Sequence, residues 1–258
     1  MKLTGSLVGM AGILWTFLAW EVIAFFVGPF RLPSPTSLFP SVFTDLTANR
    51  IVESQGLGST GLFPHLLYTL GMALGGTLAG LCVGVVSALV AARWLNFGVF
   101  ISTIIDTLRS VPPIAAIPFF LLWLGPSVAA HFSVVCFYSA VMIAVSARNA
   151  ISNLDPVLLR SARTMGAGEG LVVRSVIAPG IVPELVGATR VAFGVAVGIG
   201  VVAEYLGAAQ GVGQVFSRMV PYQALDVIIA GILWITVLAF VVDKILSLCA
   251  RQLTKWSN

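Results

Sequence analysis

Residues 66–92 read LLYTLGMALGGTLAGLCVGVVSALVAA, 27 residues without a charge. A helix of about 20 apolar residues crosses the hydrocarbon core of a bilayer, so this stretch is a membrane span. Its surroundings are of the same kind. Over all 258 residues, 58% are hydrophobic and 9% charged, with a mean hydropathy of +1.02. Soluble domains carry about 25% charged residues. A chain so poor in charge cannot keep a globular surface wet, which excludes a soluble enzyme, a disordered protein and a nucleic-acid binder.

Five further spans flank this one. Gly5 to Gly28 is apolar apart from Glu21. It follows Lys2 in the manner of a signal peptide, but it is long for a signal core and no clear small-residue cleavage site follows; it reads as the first span. Phe97 to Gly125 is the third, interrupted by Asp106, Arg109, Pro112, Pro113 and Pro118. Those prolines mark either a gate hinge or a kinked packing helix. Ala129 to Ala147 is the fourth. Leu185 to Leu206 is the fifth and carries Arg190 and Glu204, and Ala224 to Leu248 contains the sixth.

Six spans place both termini on one side. With that side cytoplasmic, the inner segments hold Lys2, Arg93, Arg148, Arg160, Arg163, Arg174, Lys244, Arg251 and Lys255, and the outer loops hold Arg31, Arg50 and Arg218. Nine against three follows the positive-inside rule. Five spans would put Lys244, Arg251 and Lys255 outside and weaken the bias. The net charge of +4 is thus a topology signal rather than a nucleic-acid signal.

Glycines recur at close-packing intervals: Gly71 and Gly75, then Gly76, Gly80 and Gly84, and again Gly194 and Gly198. Such ridges let helix backbones approach in lipid, within one subunit or across a dimer. Chemistry-bearing patterns are missing from the sequence. There is no P-loop, and the G-x-G-x-x-G at Gly56, Gly58 and Gly61 lies in an outer loop without the strand–turn–helix setting a dinucleotide needs. Cys82, Cys136 and Cys249 sit unpaired in apolar runs, and His65 and His131 are too few for a metal cluster. No metal or catalytic residue is assigned, and the chain is expected to be a non-catalytic protein.

The informative polar stretch lies between the fourth and fifth spans. Asp155 followed by Pro156 is a helix start, a carboxylate N-cap with proline at the first helical position. Val157 to Met165 puts Leu158, Leu159, Ala162 and Met165 on one face, with Arg160 and Arg163 elsewhere. Gly166 suits a left-handed C-cap. A second short helix runs from about Gly168 to Ile177, and Pro179 ends it. Two short helices with a glycine bend are either a plain amphipathic connector or a docking knob.

Arg160-Ser161-Ala162-Arg163-Thr164-Met165-Gly166, nine residues, then Val176-Ile177-Ala178-Pro179, resembles the EAA loop of binding-protein-dependent ABC importer permeases. The family pattern is Glu-Ala-Ala, three residues, Gly, nine residues, Ile-x-Leu-Pro. The spacing matches, while Arg160 replaces the glutamate, Ser161 the first alanine, Val176 the isoleucine and Ala178 the leucine. Leu32-Pro33-Ser34-Pro35-Thr36, Arg109-Ser110-Val111-Pro112-Pro113, Trp123-Leu124-Gly125, Ala203-Glu204 with Gly211-Val212-Gly213, and Asp226 to Gly231 are similar to landmarks of the taurine, aliphatic sulfonate and nitrate branch.

The resemblance implies an all-α integral membrane fold: a six-transmembrane-helix permease of a type I, MetI-like importer. Residues 1–258 would form one permease domain, with the cytoplasmic coupling helices at residues 155–179. It implies a bacterial inner-membrane location and pairing with a second copy. Two ATPase subunits that hold ATP and magnesium, and a periplasmic or lipid-anchored solute-binding protein, would complete the importer. Arg160, Ser161, Ala162, Arg163, Gly166, Val176 and Pro179 would couple it to the ATPase. The implied solute is a small anion: taurine, another sulfonate or nitrate. A pyrimidine-type thiamine precursor or bicarbonate is the alternative within the family, and a stand-alone secondary transporter is the alternative outside it.

Four charges lie within spans: Asp106, Arg109, Arg190 and Glu204. Facing lipid, each costs about 2.5–3.5 kcal/mol or more. They therefore form internal ion pairs, as the three-residue spacing of Asp106 and Arg109 allows, or line a solute path, for which Arg109, Arg190 and Glu204 are the candidates.

Overall fold

The computed structural model describes residues 2–29, 31–58, 61–207 and 210–253; Lys255 of the charge count lies outside them. Every regular element among the described residues is helical. In chain order these are α1 (Lys2–Val27), α2 (Pro35–Thr47), α3 (Arg50–Ser54), α4 (Phe63–Arg93), α5 (Leu95–Leu108), α6 (Pro113–Leu124) and α7 (Val128–Ser152). Then come α8 (Pro156–Thr164), α9 (Glu169–Val172), a π turn (Val173–Ile177), α10 (Ala178–Gly207), α11 (Val212–Met219), a 3₁₀ turn (Val220–Tyr222) and α12 (Leu225–Leu253). Among the described residues, five segments are long and apolar enough to cross a bilayer: Gly9–Val27, Phe63–Arg93, Val128–Ser152, Glu169–Gly207 and Leu225–Ala250.

Glycines set the closest packing. A Cβ at Gly76 or Gly80 would lie 2.6 Å from Val135 or 2.5 Å from Ser139, and one at Gly84 would lie 2.7 Å from the Ala140 carbonyl. These three glycines therefore serve packing within the subunit. The contacts advance together along both helices, so α4 and α7 run parallel. Gly194 and Gly198 meet nothing within 4 Å and leave a bare strip along α10.

Parallel α4 and α7 require the chain between them to return across the bundle. That segment is the proline-interrupted span expected from Phe97 to Gly125. It is a bent pair, α5 and α6, turned by 97°. At 14 and 12 residues each reaches only about 21 and 18 Å, too short for the ~30 Å core. Consecutive prolines cause the break. Pro113 forces Pro112 into an extended conformation, φ −61° and ψ 124°, and neither proline offers an N–H to continue α5. Pro118, inside α6, does not end it.

A correction concerns Pro179. Instead of ending a helix there, the chain runs on as one helical segment from Glu169 to Gly207. The π turn just before it makes this possible. The Ala178 N–H bonds the Val173 carbonyl, five residues back, so the ladder has already shifted where Pro179 lacks a donor.

The stretches between spans also fold more than the sequence reading expected. Ser34 caps α2, accepting from the Ser37 N–H, and Pro35 opens the helix. Thr36 donates its hydroxyl (2.7 Å) and its N–H (3.3 Å) to Glu21. The one charge of the first span is thereby satisfied at a helix N-terminus.

Candidate functional site

One end of the bundle carries a knob made of α8 and α9. It starts as the sequence indicates: the Asp155 carboxylate accepts from the Val157 N–H at 2.8 Å, and Pro156 is the first helical residue. It stops at a Schellman motif. The Gly166 N–H bonds the Arg163 carbonyl, the Ala167 N–H bonds the Ala162 carbonyl, and Gly166 has φ +84°. Arg163 then reaches across the bend to Glu169 in a two-pronged ion pair at 2.9 and 3.1 Å. That contact raises the Arg163 pKa above its ordinary value.

The apolar face of α8 is not the single stripe expected. Ala162 is buried and Leu159 half-buried against Val172, Ala147 and Ala150 of the inner core. Val157, Leu158 and Met165 stay exposed, Met165 at 81%. A nine-residue helix lying on a bundle offers it only a narrow arc. Here that arc is centred between Ala162 and Leu159, so Leu158 and Met165 fall outside it. Arg160 and Ser161 are exposed, and Arg160 Nε donates to the Pro156 carbonyl at 3.3 Å. Val176 and Pro179 lie half-buried at the root of α10. The site residues Arg160 to Gly166 thus form an outward knob, and Val176 and Pro179 form its base. Arg93, at the end of α4, packs 3.6 Å from where a Gly170 Cβ would sit and ties the knob to the bundle.

The intramembrane charges are paired. Asp106 takes Arg148 in a bidentate pair at 2.7 and 2.9 Å, with Arg109 Nε more loosely placed at 3.4 Å. Arg190 makes a bidentate pair with Asp243 at 2.8 and 2.7 Å. Glu204 is 1% exposed. Its Oε2 accepts from the Thr69 hydroxyl at 2.8 Å and the Gly213 N–H at 3.0 Å. A Cβ at Gly211, where φ is +107°, would collide with this carboxyl, and one at Gly213 would strike the Val201 carbonyl. The Gly-Val-Gly turn is glycine-rich because the backbone must close over Glu204. Of the three path candidates, Arg109 is the most open, at 53% side-chain exposure, and nothing brings the three together.

Residues 80–255 match the family described as the binding-protein-dependent transport system inner membrane component. The chain belongs to this family. Such permeases are non-catalytic translocation subunits, which fits the lack of a nucleotide motif. Among its relatives is the taurine transport system permease protein TauC of Escherichia coli (strain K12), 27% identical, the match covering 98% of this chain and 88% of TauC. The putative aliphatic sulfonates transport permease protein SsuC of Bacillus subtilis (strain 168) is also 27% identical, over 93% of this chain and 83% of SsuC. In structure, the permease is similar to a chain of the MetNI methionine ABC transporter in inward-facing conformations. The TM-score is 0.66 and the identity 22%, covering 75% of this chain and 96% of that one. The MetI-like, all-helical membrane fold expected from the sequence is the fold of this permease.

Sequence reasoning missed Arg148 and Asp243 as the partners of Asp106 and Arg190, and Thr69 as the partner of Glu204. These partners are 42, 53 and 135 residues away. No local spacing reveals such pairs. The available signal was that the four charges in spans, Asp106, Arg109, Arg190 and Glu204, need partners inside the bundle.

Proposed function

We propose that this chain is the permease subunit of an ATP-driven importer for taurine or another small sulfonate. It works as a pair of copies, with the knob of each seated in an ATPase subunit and a solute-binding protein at the opposite end. The observation that carries the solute assignment is the likeness to the taurine permease TauC along 98% of this chain. The knob supports the coupling role. It is rigidly capped at both ends and tied across its bend by Arg163 and Glu169. It also leaves Val157, Leu158 and Met165 bare beside Arg160, which is how an apolar and basic docking face looks before it is covered. In this reading Arg160, Ser161, Ala162, Arg163 and Gly166 shape the contact, Val176 and Pro179 anchor it, and ATP with magnesium is held by the partner. A pair of copies is supported by α1, whose span window is only 6% buried, and by the open Gly194–Gly198 strip.

The test is uptake of labelled taurine by proteoliposomes holding the full complex, competed with ethanesulfonate, nitrate, bicarbonate and an aminopyrimidine. Competition by sulfonates supports the assignment. Competition by the aminopyrimidine or bicarbonate alone overturns it. A purified complex with one permease per two ATPases would count against the pair.

A further inference from the structure

The knob carries a charge that its own fold leaves unanswered. Residues 155–174 hold the acids Asp155 and Glu169 and the arginines Arg160, Arg163 and Arg174. Both acids are in use. The Asp155 carboxylate caps α8 through the Val157 N–H, and both oxygens of Glu169 are taken by Arg163. Arg174 stands off α8, on the π turn. Arg160 is on α8 and exposed. Its Nε donates to the Pro156 carbonyl of its own helix at 3.3 Å, and its two Nη groups make no hydrogen bond or ion pair among the described residues.

What α8 buries decides where Arg160 points. Leu159 and Ala162 turn inward to the bundle. At about 100° per residue, the opposite side carries Val157, Arg160 and Thr164, and Leu158 and Met165 share the adjoining shoulder. Val157, Leu158 and Met165 are each more than half exposed. The Asp155 cap and the Gly166 bend hold this face in one shape before anything covers it. Outward, then, α8 presents an apolar shoulder with one unpaired cation beside it, and no acid lies between Pro156 and Thr164.

A surface that covers Val157 and Leu158 also strips water from Arg160, their neighbour on the helix. A cation desolvated without a partner charge opposes association, so the covering surface has to supply an anion. A lipid phosphate is poorly placed to do so, because the Arg160 side faces away from the bundle and the membrane. We propose that the ATPase groove which takes the knob presents a carboxylate to Arg160, beside an apolar pocket for Leu158 and Met165, and that this pairing selects which ATPase the permease accepts. A groove with a basic residue at that point is refused by like-charge repulsion. This rests on the coupling reading above and extends it, by naming the chemistry of the partner surface and the residue that discriminates.

The test measures binding of the purified ATPase subunit, the one that co-purifies with this permease, to the full-length permease in nanodiscs over a range of salt. Arg160→Gln should weaken binding about thirtyfold or more and flatten its salt dependence. Arg160→Lys, which keeps the charge, should lose far less. In that lysine variant a carbodiimide, which joins an amine only to a carboxylate touching it, should link residue 160 to an aspartate or glutamate of the ATPase, identified by mass spectrometry. Arginine in place of that acid should abolish binding to the wild-type permease and restore it to Arg160→Glu. Leu158→Asp tests the docking reading separately: an acid in the first turn suits the helix but not an apolar pocket. If Leu158→Asp abolishes binding while Arg160→Gln stays within about twofold of wild type, as for an exposed pair, docking stands and the carboxylate is refuted. If neither variant changes binding, the knob does not dock and both readings fall. An Arg160→Gln effect present in phosphatidylglycerol nanodiscs and absent in phosphatidylcholine ones would make Arg160 a headgroup contact and overturn the proposal.

Discussion

Gly166 carries the coupling reading at its smallest scale. Its φ of +84° is hard for any residue with a Cβ, although the space around it is open. Substitution therefore acts through backbone strain of about 1–2 kcal/mol rather than through a clash. Gly166→Val should leave the spans inserted but change the angle between α8 and α9. Uptake should fall, and the ATPase rate should stop responding to loaded binding protein, both read in proteoliposomes with matched protein levels. Normal values in both assays would make residues 155–179 a passive connector. Arg190 makes a second residue-scale prediction. Arg190→Leu leaves the Asp243 carboxylate unpaired in a span, at a cost of roughly 2.5–3.5 kcal/mol. Adding Asp243→Leu should recover most of the lost thermal stability, and a double-mutant cycle in detergent measures the coupling. Asp45, in α2, sits outside the spans. Burial chiefly, and Asp226 nearby, hold its pKa above the usual 3.8, with the Asn49 hydrogen bond opposing them. The folded state then binds its proton more tightly than the unfolded chain, so this group disfavours folding progressively as pH rises above about 4. Asp45→Asn should raise the melting temperature at neutral pH and flatten its fall between acid and neutral pH. An unchanged pH profile would show that the carboxyl is not the cause.

Among the elements, the α5–α6 pair departs furthest from a plain span. Its bend rests on Pro112 and Pro113, and its α5 limb is fastened to α7 through Asp106 and Arg148. Replacing both prolines with alanine restores two backbone donors and frees residues 111 and 112 to become helical. Spin labels at Thr103 and Trp123, both on the pair, should then move apart. A straight helix separates them by about 30 Å, whereas two limbs meeting at 97° leave about 20 Å. Unchanged separation would show that packing against α7, rather than proline, sets the angle. The α9–α10 run shows the opposite behaviour. Pro179 and Pro183 both sit within continuous helix, and at Pro179 the π turn just before it relieves the missing bond.

The whole permease is organised by direction. Parallel α4 and α7, joined by the bent pair, bring the chain back to the same end twice. α8, α9 and the end of α4 meet there, while α2, α3 and α11 cover the opposite end. Together with the nine-to-three basic bias, this arrangement predicts a cytoplasmic C-terminus. A C-terminal reporter fusion should be active only when the reporter works in the cytoplasm. Periplasmic activity would invert the orientation and place the knob away from any ATPase.

Much of this permease was legible without coordinates. Span positions follow from runs of apolar residues, because a helix in lipid must satisfy its own backbone. The α8 knob follows from Asp155, Pro156 and Gly166, because caps act within one turn. Local chemistry of that kind is written in adjacent residues. The bend at Pro112 and Pro113 was half legible: prolines announce a break, but its angle is set by what α5 and α6 pack against. The passage of helix through Pro179 was not legible, since a π turn is chosen by the fit of Val172 and Ile177 into the inner core. Nor were the partners of Asp106, Arg190 and Glu204. In a low-dielectric bundle an ion pair or a buried carboxyl is set by which helices face each other and at what depth. That facing emerges only when glycine ridges, proline breaks and helix directions are assembled together.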